Sequence, residues 1–357
     1  MSMEINSTNS GVTSQIMDLK TSTPGVTRKE EIKTGFKNTN DYSKYLQEKY
    51  SYMNTGKTSM QGVPVTVRVS GAFLKKCMDN PEKAAYLEEN LAAIPECIKR
   101  SVEYTKTMPG NPVMTYCNVS FDENGNMLIL ATDTTQDSVE DIVLKLDVNS
   151  GEVTEVLDLG DLFGEYKKTC VKNSSDELDW MHINTIQYIG NGSVLLSSRE
   201  TSTIIKVDNI YDGPVVSYMI GEKDFWKDTS YVSLLLNKKG DFTIQGGQHT
   251  ITYETDESLA DGQYYLYMFD NNIGISETRP DYDWSSIGLK VSSAVDGKNS
   301  KYYKYLVDEN EGTFELVDSF KVPYSGYVSS AQETGDNVLV DSGLKGTFTE
   351  YLSLIHI

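Results

Sequence analysis

Histidine is scarce in this chain. There are three in 357 residues, at His182, His249 and His356, so imidazole chemistry has very few places to occur. Cysteine is little commoner, with four (Cys77, Cys97, Cys117, Cys170), far apart and with no CxxC pair. That spacing argues against a disulfide framework or a cysteine zinc site and for reduced packing cysteines. Basic charge is also short. Lys and Arg total 32 against 52 Asp and Glu, a formal net charge of −20. Phosphate backbones and anionic lipid need a concentrated basic surface, so nucleic acid and membrane are not expected as partners. No stretch approaches the roughly 18 consecutive apolar residues of a membrane span. The opening MSMEINSTNSGVTSQ has neither the basic start nor the apolar run of a signal peptide. Cytoplasmic placement is therefore expected for the chain as written, with periplasmic or secreted placement left open for an intact protein.

What is present suffices for a folded core: 38% hydrophobic residues and 10% aromatic. The length suits one large domain or two ordinary ones, at roughly 100–200 residues each. Residues 1–62, rich in Ser, Thr, Asn, Lys and Gly with little apolar periodicity, read as a polar, poorly ordered tail. Residues 63–112 read as a short helical lead-in. From Gly71 to Lys106 apolar residues recur at three and four, Ala, Leu, Glu and Lys dominate, and Pro81 and Pro95 punctuate short helices.

After Pro112 the texture becomes that of hairpins. VSFDENGNMLILATDT is a strand, an Asn-Gly turn and a strand, and EDIVLKLDVNSGEVTEVLDL is another, turned through Asn149-Ser150-Gly151. The unit recurs in INTIQYIGNGSVLLSSRETSTIIKVD, LLLNKKGDFTIQGGQHTITY, YYKYLVDENEGTFELVDSFKVP and VSSAQETGDNVLVDSG, with turn glycines at Gly125, Gly192, Gly240 and Gly335. A polar insertion around 254–300 is expected between the last two. Four-stranded units at about 40–50 residues, stretched by loops, predict a mainly β chain folded as a β-propeller, with a sandwich as the alternative. In a propeller, loops from several blades converge on a central channel, so residues distant in sequence can meet there.

Three segments place chemistry-bearing residues at comparable strand ends in neighbouring blades. DWMHIN carries Asp179, Trp180, His182 and Asn184; LSSRET carries Arg199; GGQHT carries His249. Any one histidine taken singly is more often a hydrogen-bonded core or loop residue than a reactive one.

The order and wording of these segments resemble the bacterial aryl sulfotransferases. The matching stretches are NGNMLILA, VEDIVLKLDVNSGEV, DWMHINTIQY followed by SVLLSSRETSTIIKVD, then QHTITY, LYMFDNN and YSGYVSSAQETGDNVLVDSG, over residues 113–351. The resemblance implies a six-bladed propeller, incomplete here. The family moves a sulfuryl group from a phenolic sulfate ester to a phenol without a nucleotide sulfate donor, by a ping-pong route through a sulfohistidine. On that mapping His249 is the nucleophile, His182 and Asn184 assist, and Arg199 binds the anion, with no metal and no cofactor. Where the family carries a further histidine in an HHD-like segment, this chain reads Tyr116-Cys117-Asn118, which makes Tyr116 a candidate substrate-binding donor. The implied partners are a small aryl sulfate and a phenol, with a homo-oligomer possible.

The residue types suit such chemistry. A neutral imidazole is a good nucleophile near pH 7 and splits one hard transfer into two easier steps. A guanidinium meets two equatorial oxygens of a loose transition state at once, which a lysine cannot. With 23 tyrosines in the chain, stacking walls for an aryl ring are expected, at positions the sequence does not single out. Two other readings remain. One is a catalytically impaired propeller that binds aryl sulfates or a protein partner, favoured by the Tyr116-Cys117-Asn118 substitution. The other, a sulfatase, lacks its CxPxR-type motif. WD and GH signatures of scaffold propellers are missing too. Residues 352–357, LSLIHI, read as a non-native tail, and His356 is assigned no role.

Overall fold

A computed structural model describes residues 3–4, 33, 35–50, 59–60, 63–69, 71–105, 117–133, 137–147, 150, 152–334 and 337–352. Tyr116, His356 and residues 353–357 lie outside these. The chain is mainly β. Its strands are β1 Met3–Glu4, β2 Ser59–Met60, β3 Val63–Val69, β4 Cys117–Phe121, β5 Met127–Asp133, β6 Glu140–Leu146, β7 Val153–Asp158, β8 Ile183–Gly190, β9 Ser193–Ser198 and β10 Thr203–Asp208. They continue as β11 Val215–Ile220, β12 Asn237–Lys239, β13 His249–Glu254, β14 Gln263–Asp270, β15 Asn299–Asp308, β16 Thr313–Pro323, β17 Ser329–Thr334, β18 Asn337–Ser342 and β19 Thr347–Tyr351. They form four sheets, the blades of a β-propeller that is incomplete relative to six blades. The chain divides into two compact units, Met3–Asp133 with Val143–Val156, and Thr134–Ile142 with Leu157–Ile357.

The first unit corrects the expected lead-in. Residues 39–49 form a helix, although the whole of 1–62 reads as a loose tail. Asn38 caps it by accepting from Asp41 N at 2.8 Å, and Tyr42 and Leu46, one turn apart, are buried. Its few apolar residues are spaced among polar ones, which hides it in the sequence, and Tyr42 and Tyr45 both pack their rings against Phe36. The expected helical stretch 63–112 opens instead with strand β3, VPVTVRV, parallel to β4 with Val65 opposite Cys117. The proline punctuation is half right. Asn80 accepts from the N–H groups of Glu82 and Lys83, and Pro81 takes the first helical position. Pro95, however, sits inside one helix of 25 residues, Pro81–Thr105. An interior proline costs about 3 kcal/mol. Buried Ala84, Leu87, Leu91 and Ile94 lie on one face, and at about 1.5–3 kcal/mol for each large side chain buried they outweigh that cost. Cys77, buried in the same core, is unpaired, as is Cys170 in the second unit.

The second unit carries three antiparallel meanders. One sheet runs β11-β10-β9-β8, the next β16-β15-β14-β13 with β12 added parallel along β16, and the last β17-β18-β19. Strand β14 lies within the span expected to be a polar insertion (254–300). Its sequence, QYYLYMFD, is nearly continuous apolar because both faces are buried. Tyr264, Leu266 and Met268 join Leu195, Ile204 and Tyr305 in one core, while Tyr267 and Phe269 join Tyr302, Ala331 and Val340 in another. The alternation within a single strand therefore sandwiches the middle sheet between its two neighbours. Gly240 also differs from expectation. The strand before it, β12, pairs with β16 rather than turning back through Gly240, and residues 241–248 are irregular. The innermost strands are tied side by side. Thr250 N donates to Thr185 Oγ1 at 3.0 Å, and Thr250 Oγ1 donates to Ser329 O at 2.9 Å, linking β13 to β8 and to β17.

Candidate active site at the ends of the inner strands

The segment before β8 is locked residue by residue. Trp180 is fully buried and donates its indole N–H to Glu140. The Met181 carbonyl accepts from Ser198 Oγ at 2.6 Å, and the His182 carbonyl accepts from Arg199 N at 3.1 Å. His182 itself has φ of +49°, a left-handed conformation that a β-carbon disfavours. Strain of that sort persists where the surroundings over-determine it. Next in line, Ile183 N donates to the buried carboxylate of Asp141 at 2.8 Å. Burial, reinforced by the charge of nearby Asp179, pushes the Asp141 carboxyl well above the usual carboxylate range.

The segment before β13 is held by its neighbours' backbones. Gln245 donates to Ser202 O and Ile220 O, and Gln248 donates to Ser197 Oγ, Ser198 O and Thr203 O. Both glutamines are fully buried. Between them the glycines leave no room for a side chain: a Cβ on Gly246 would lie 2.6 Å from Ile273 O, and one on Gly247 would lie 2.6 Å from Ile273 Cγ2. Gly246→Ala is accordingly expected to lower unfolding stability by about 1–3 kcal/mol in urea titration. Gly164→Ala, where nothing lies within 4 Å, serves as the control and should change stability by less than about 0.5 kcal/mol.

These two clamps bring together the residues singled out in the sequence. His182 precedes β8, Arg199 follows β9, and His249 opens β13. The Arg199 stem runs beside the glycines, its Cγ 3.8 Å from the point where a Gly247 Cβ would stand. Asn184 donates its amide to Gln248 O at 2.7 Å, and its Oδ1 accepts from Thr185 Oγ1 at 3.0 Å. One of its N–H bonds therefore fastens the residue next to His249. Tyr116 lies outside the described residues.

The electrostatics follow from this crowding. Burial lowers the His249 pKa to about 3; the Asn271 hydrogen bond opposes that shift, and the nearby His182 and Arg199 charges add to it. His182 is also lowered, by burial first and then by Arg199, against the pull of Asp179. His182 Nδ1 lies 2.5 Å from Asp179 Oδ2, and the His182 side chain keeps 37% of its surface accessible. Burial raises Asp179, but the hydrogen bond and charge of His182, with Arg199, hold its carboxyl below the usual range. Both imidazoles are therefore neutral near pH 7.

Some of the site was not read from the sequence. Glu200, only 1% exposed, sits 3.4 Å from Arg199 Nη2 and accepts from Thr278 N, Thr278 Oγ1 and Ser276 Oγ. Burial raises its pKa to about 6 against those bonds and Arg199. Its signal is adjacency: it directly follows Arg199. Asn271 lies two residues beyond Phe269, which pairs with His249 across β13 and β14. It sits 2.8 Å from His249 Nδ1 through Oδ1, and its own N–H donates to Ser325 O at 2.8 Å. Among the described residues, no group of three or more His, Cys, Asp or Glu is placed to hold a metal ion, and no helix is long and apolar enough to cross a membrane.

A family model described as Arylsulfotransferase matches residues 102–356, which include His182, His249, Arg199 and all three meanders. The chain belongs to the arylsulfotransferase family. No curated protein matches it. Among solved structures it is similar to a DUF4623 family protein from Bacteroides eggerthii, at 17% identity and a TM-score of 0.32, over 65% of this chain and 41% of that one. It is also similar to a hypothetical selenium-binding protein from Sulfolobus tokodaii, at 10% identity and a TM-score of 0.33, over 66% of this chain and 46% of that one. A third is the Nup133 β-propeller domain of Vanderwaltozyma polyspora, at 11% identity and a TM-score of 0.26, over 65% of this chain and 64% of that one. The chain thus spans less than half the length of the first two.

Proposed function

We propose that this arylsulfotransferase-family chain transfers a sulfuryl group from an aryl sulfate to a phenol, with His249 carrying the group between two half-reactions. The observation that supports it most is the meeting of a neutral His249, Arg199 and the His182–Asp179 pair at the ends of β8, β9 and β13. In the first step an imidazole nitrogen of His249 forms a bond to sulfur while the bond from sulfur to the aryl oxygen breaks. The aryl oxide leaves with the electron pair. Arg199 offers planar N–H pairs to the sulfuryl oxygens, where negative charge concentrates. In the second step the phenol oxygen bonds to sulfur, the N–S bond breaks, and the phenol's proton passes to His182.

Asp179 suits His182 to that task. If its carboxylate accepts the Nδ1 proton, Nε2 is left as the base, and the imidazolium formed by taking a phenol proton is stabilised. That proton is then available to the aryl oxide leaving in the next cycle, so the two half-reactions balance. The substrates fitting this site are small aryl sulfates and phenols; the net charge of −20 opposes polyanionic substrates. Neither step needs a metal or cofactor.

The test uses a chromogenic phenyl sulfate with and without an added phenol. Release that depends on the phenol, with the sulfate recovered on it, supports transfer. Binding of the donor without release at any phenol concentration would instead support the catalytically impaired propeller, which the Tyr116-Cys117-Asn118 segment favours.

A further inference from the structure

We propose that Asn271 is a positioning residue that sets the tautomer of His249, keeping the proton on Nδ1 and the lone pair on Nε2. This deepens the reading of His249 as the sulfuryl carrier and rests on it. The argument is one of donors and acceptors. His249 Nδ1 faces two oxygens, Gly247 O at 3.1 Å and Asn271 Oδ1 at 2.8 Å. Asn271 presents oxygen there because its amide N–H donates to Ser325 O at 2.8 Å, and a carbonyl can only accept. Two acceptors facing one ring nitrogen require a proton on it. In a neutral imidazole the other nitrogen is then bare.

Asn271 has no freedom to flip. It is fully buried, and a flipped amide would set its oxygen against Ser325 O, acceptor facing acceptor, while the Asn271 backbone carbonyl is held by Ser300 Oγ. Ser325 is fixed as well. Its N–H donates to Ser300 Oγ at 3.0 Å, and its Oγ accepts from Leu344 N at 3.0 Å. The tautomer of His249 is therefore set by a chain of hydrogen bonds reaching from β14 to the loop between β18 and β19. A neutral amide also orients the ring without making it more basic than its role requires. A carboxylate in the same place would stabilise the imidazolium and keep the ring protonated, and so not nucleophilic, up to a higher pH.

The decisive measurement is the imidazole ¹⁵N spectrum of the wild-type chain between pH 5 and 8, with His249 assigned by comparison with His249→Ala. A protonated Nδ1 and bare Nε2 are expected; the opposite tautomer, or a fast mixture of the two, overturns the proposal. Two variants add kinetic readouts. Asn271→Leu, which accepts nothing, should lower kcat for phenyl sulfate about 100-fold or more with little change in KM, as wrong-tautomer variants of other histidine enzymes do. Asn271→Asp should move the acid limb of the pH profile upward by a unit or more. The proposal falls if Asn271→Leu keeps kcat within twofold, or if the acid limb of Asn271→Asp coincides with that of wild type. A wild type that releases no phenol would overturn the transfer reading, while the ¹⁵N spectrum would still decide the tautomer.

Discussion

His249→Ala is expected to abolish phenol-dependent release from phenyl sulfate, by at least 10³-fold in kcat, because the proposed route has no second nucleophile. Donor binding should survive, since the proposed route assigns the sulfuryl oxygens to Arg199. Rapid quenching of wild type with donor and no phenol should trap sulfate on His249 and on no other residue. Wild-type activity that persists in the alanine variant would sink His249 as carrier. The same substitution has a measurable effect on stability. The folded-state pKa of His249 is about 3 against 6.5 for an ordinary histidine. The unfolded chain thus binds more protons between those values, and this histidine's contribution to stability is present above about pH 6.5 and lost as pH falls toward 3. The stability difference between wild type and His249→Ala should shift in the alanine variant's favour as the solution is acidified through that window. A difference that stays flat with pH would mean that the ring is not desolvated.

The propeller was legible because its hairpins are local. The turns at Gly125 and Gly192 lie between strands paired as the sequence suggests. What escaped was set by contacts distant in sequence. Strand β14 carries no alternation of polar and apolar residues, since one face packs against the preceding sheet and the other against the following one. A run of that kind looks like neither a surface strand nor a turn-bounded hairpin. The helix Thr39–Lys49 is hard to read for a related reason, since its buried Tyr42 and Leu46 stand among Asn, Asp, Ser, Lys, Gln and Glu. Pro95 failed as a boundary because burial of Leu87, Leu91 and Ile94 outweighs one lost hydrogen bond.

The candidate site divides along the same line. His182, Arg199 and His249 stand in short recognisable segments, and the structure brings them together. Asn271 and Ser325 lie in the stretches LYMFDNN and YSGYVSSAQETGDNVLVDSG, but nothing there gives either a role, because each matters only through the partner that strand pairing delivers. Asn184 shows the converse. The resemblance gives it an assisting role, while the structure directs one of its N–H groups to the backbone of Gln248. It fastens the residue before His249, which opens β13.

The second large effect is expected at Arg199, where charge and geometry can be separated. Arg199→Lys keeps a cation but loses the planar fork, and kcat/KM for phenyl sulfate should fall about 10²–10³-fold, the magnitude typical of removing one oxyanion donor. The cation that remains still opposes protonation of His182 and His249, so the acid limb of the pH profile should stay in place. Arg199→Met should lose at least as much rate and, in addition, move the acid limb upward, because the Arg199 charge is one of the influences lowering both imidazoles. It also leaves Glu200, almost fully buried and 3.4 Å from the guanidinium, without its cation. The Glu200 carboxyl should then rise further from its already elevated value of about 6. A lysine variant as active as wild type would show that Arg199 supplies charge alone. A methionine variant with an unmoved acid limb would show that the guanidinium lies too far from the imidazoles to affect their protonation, and the common site for the three residues would have to be abandoned.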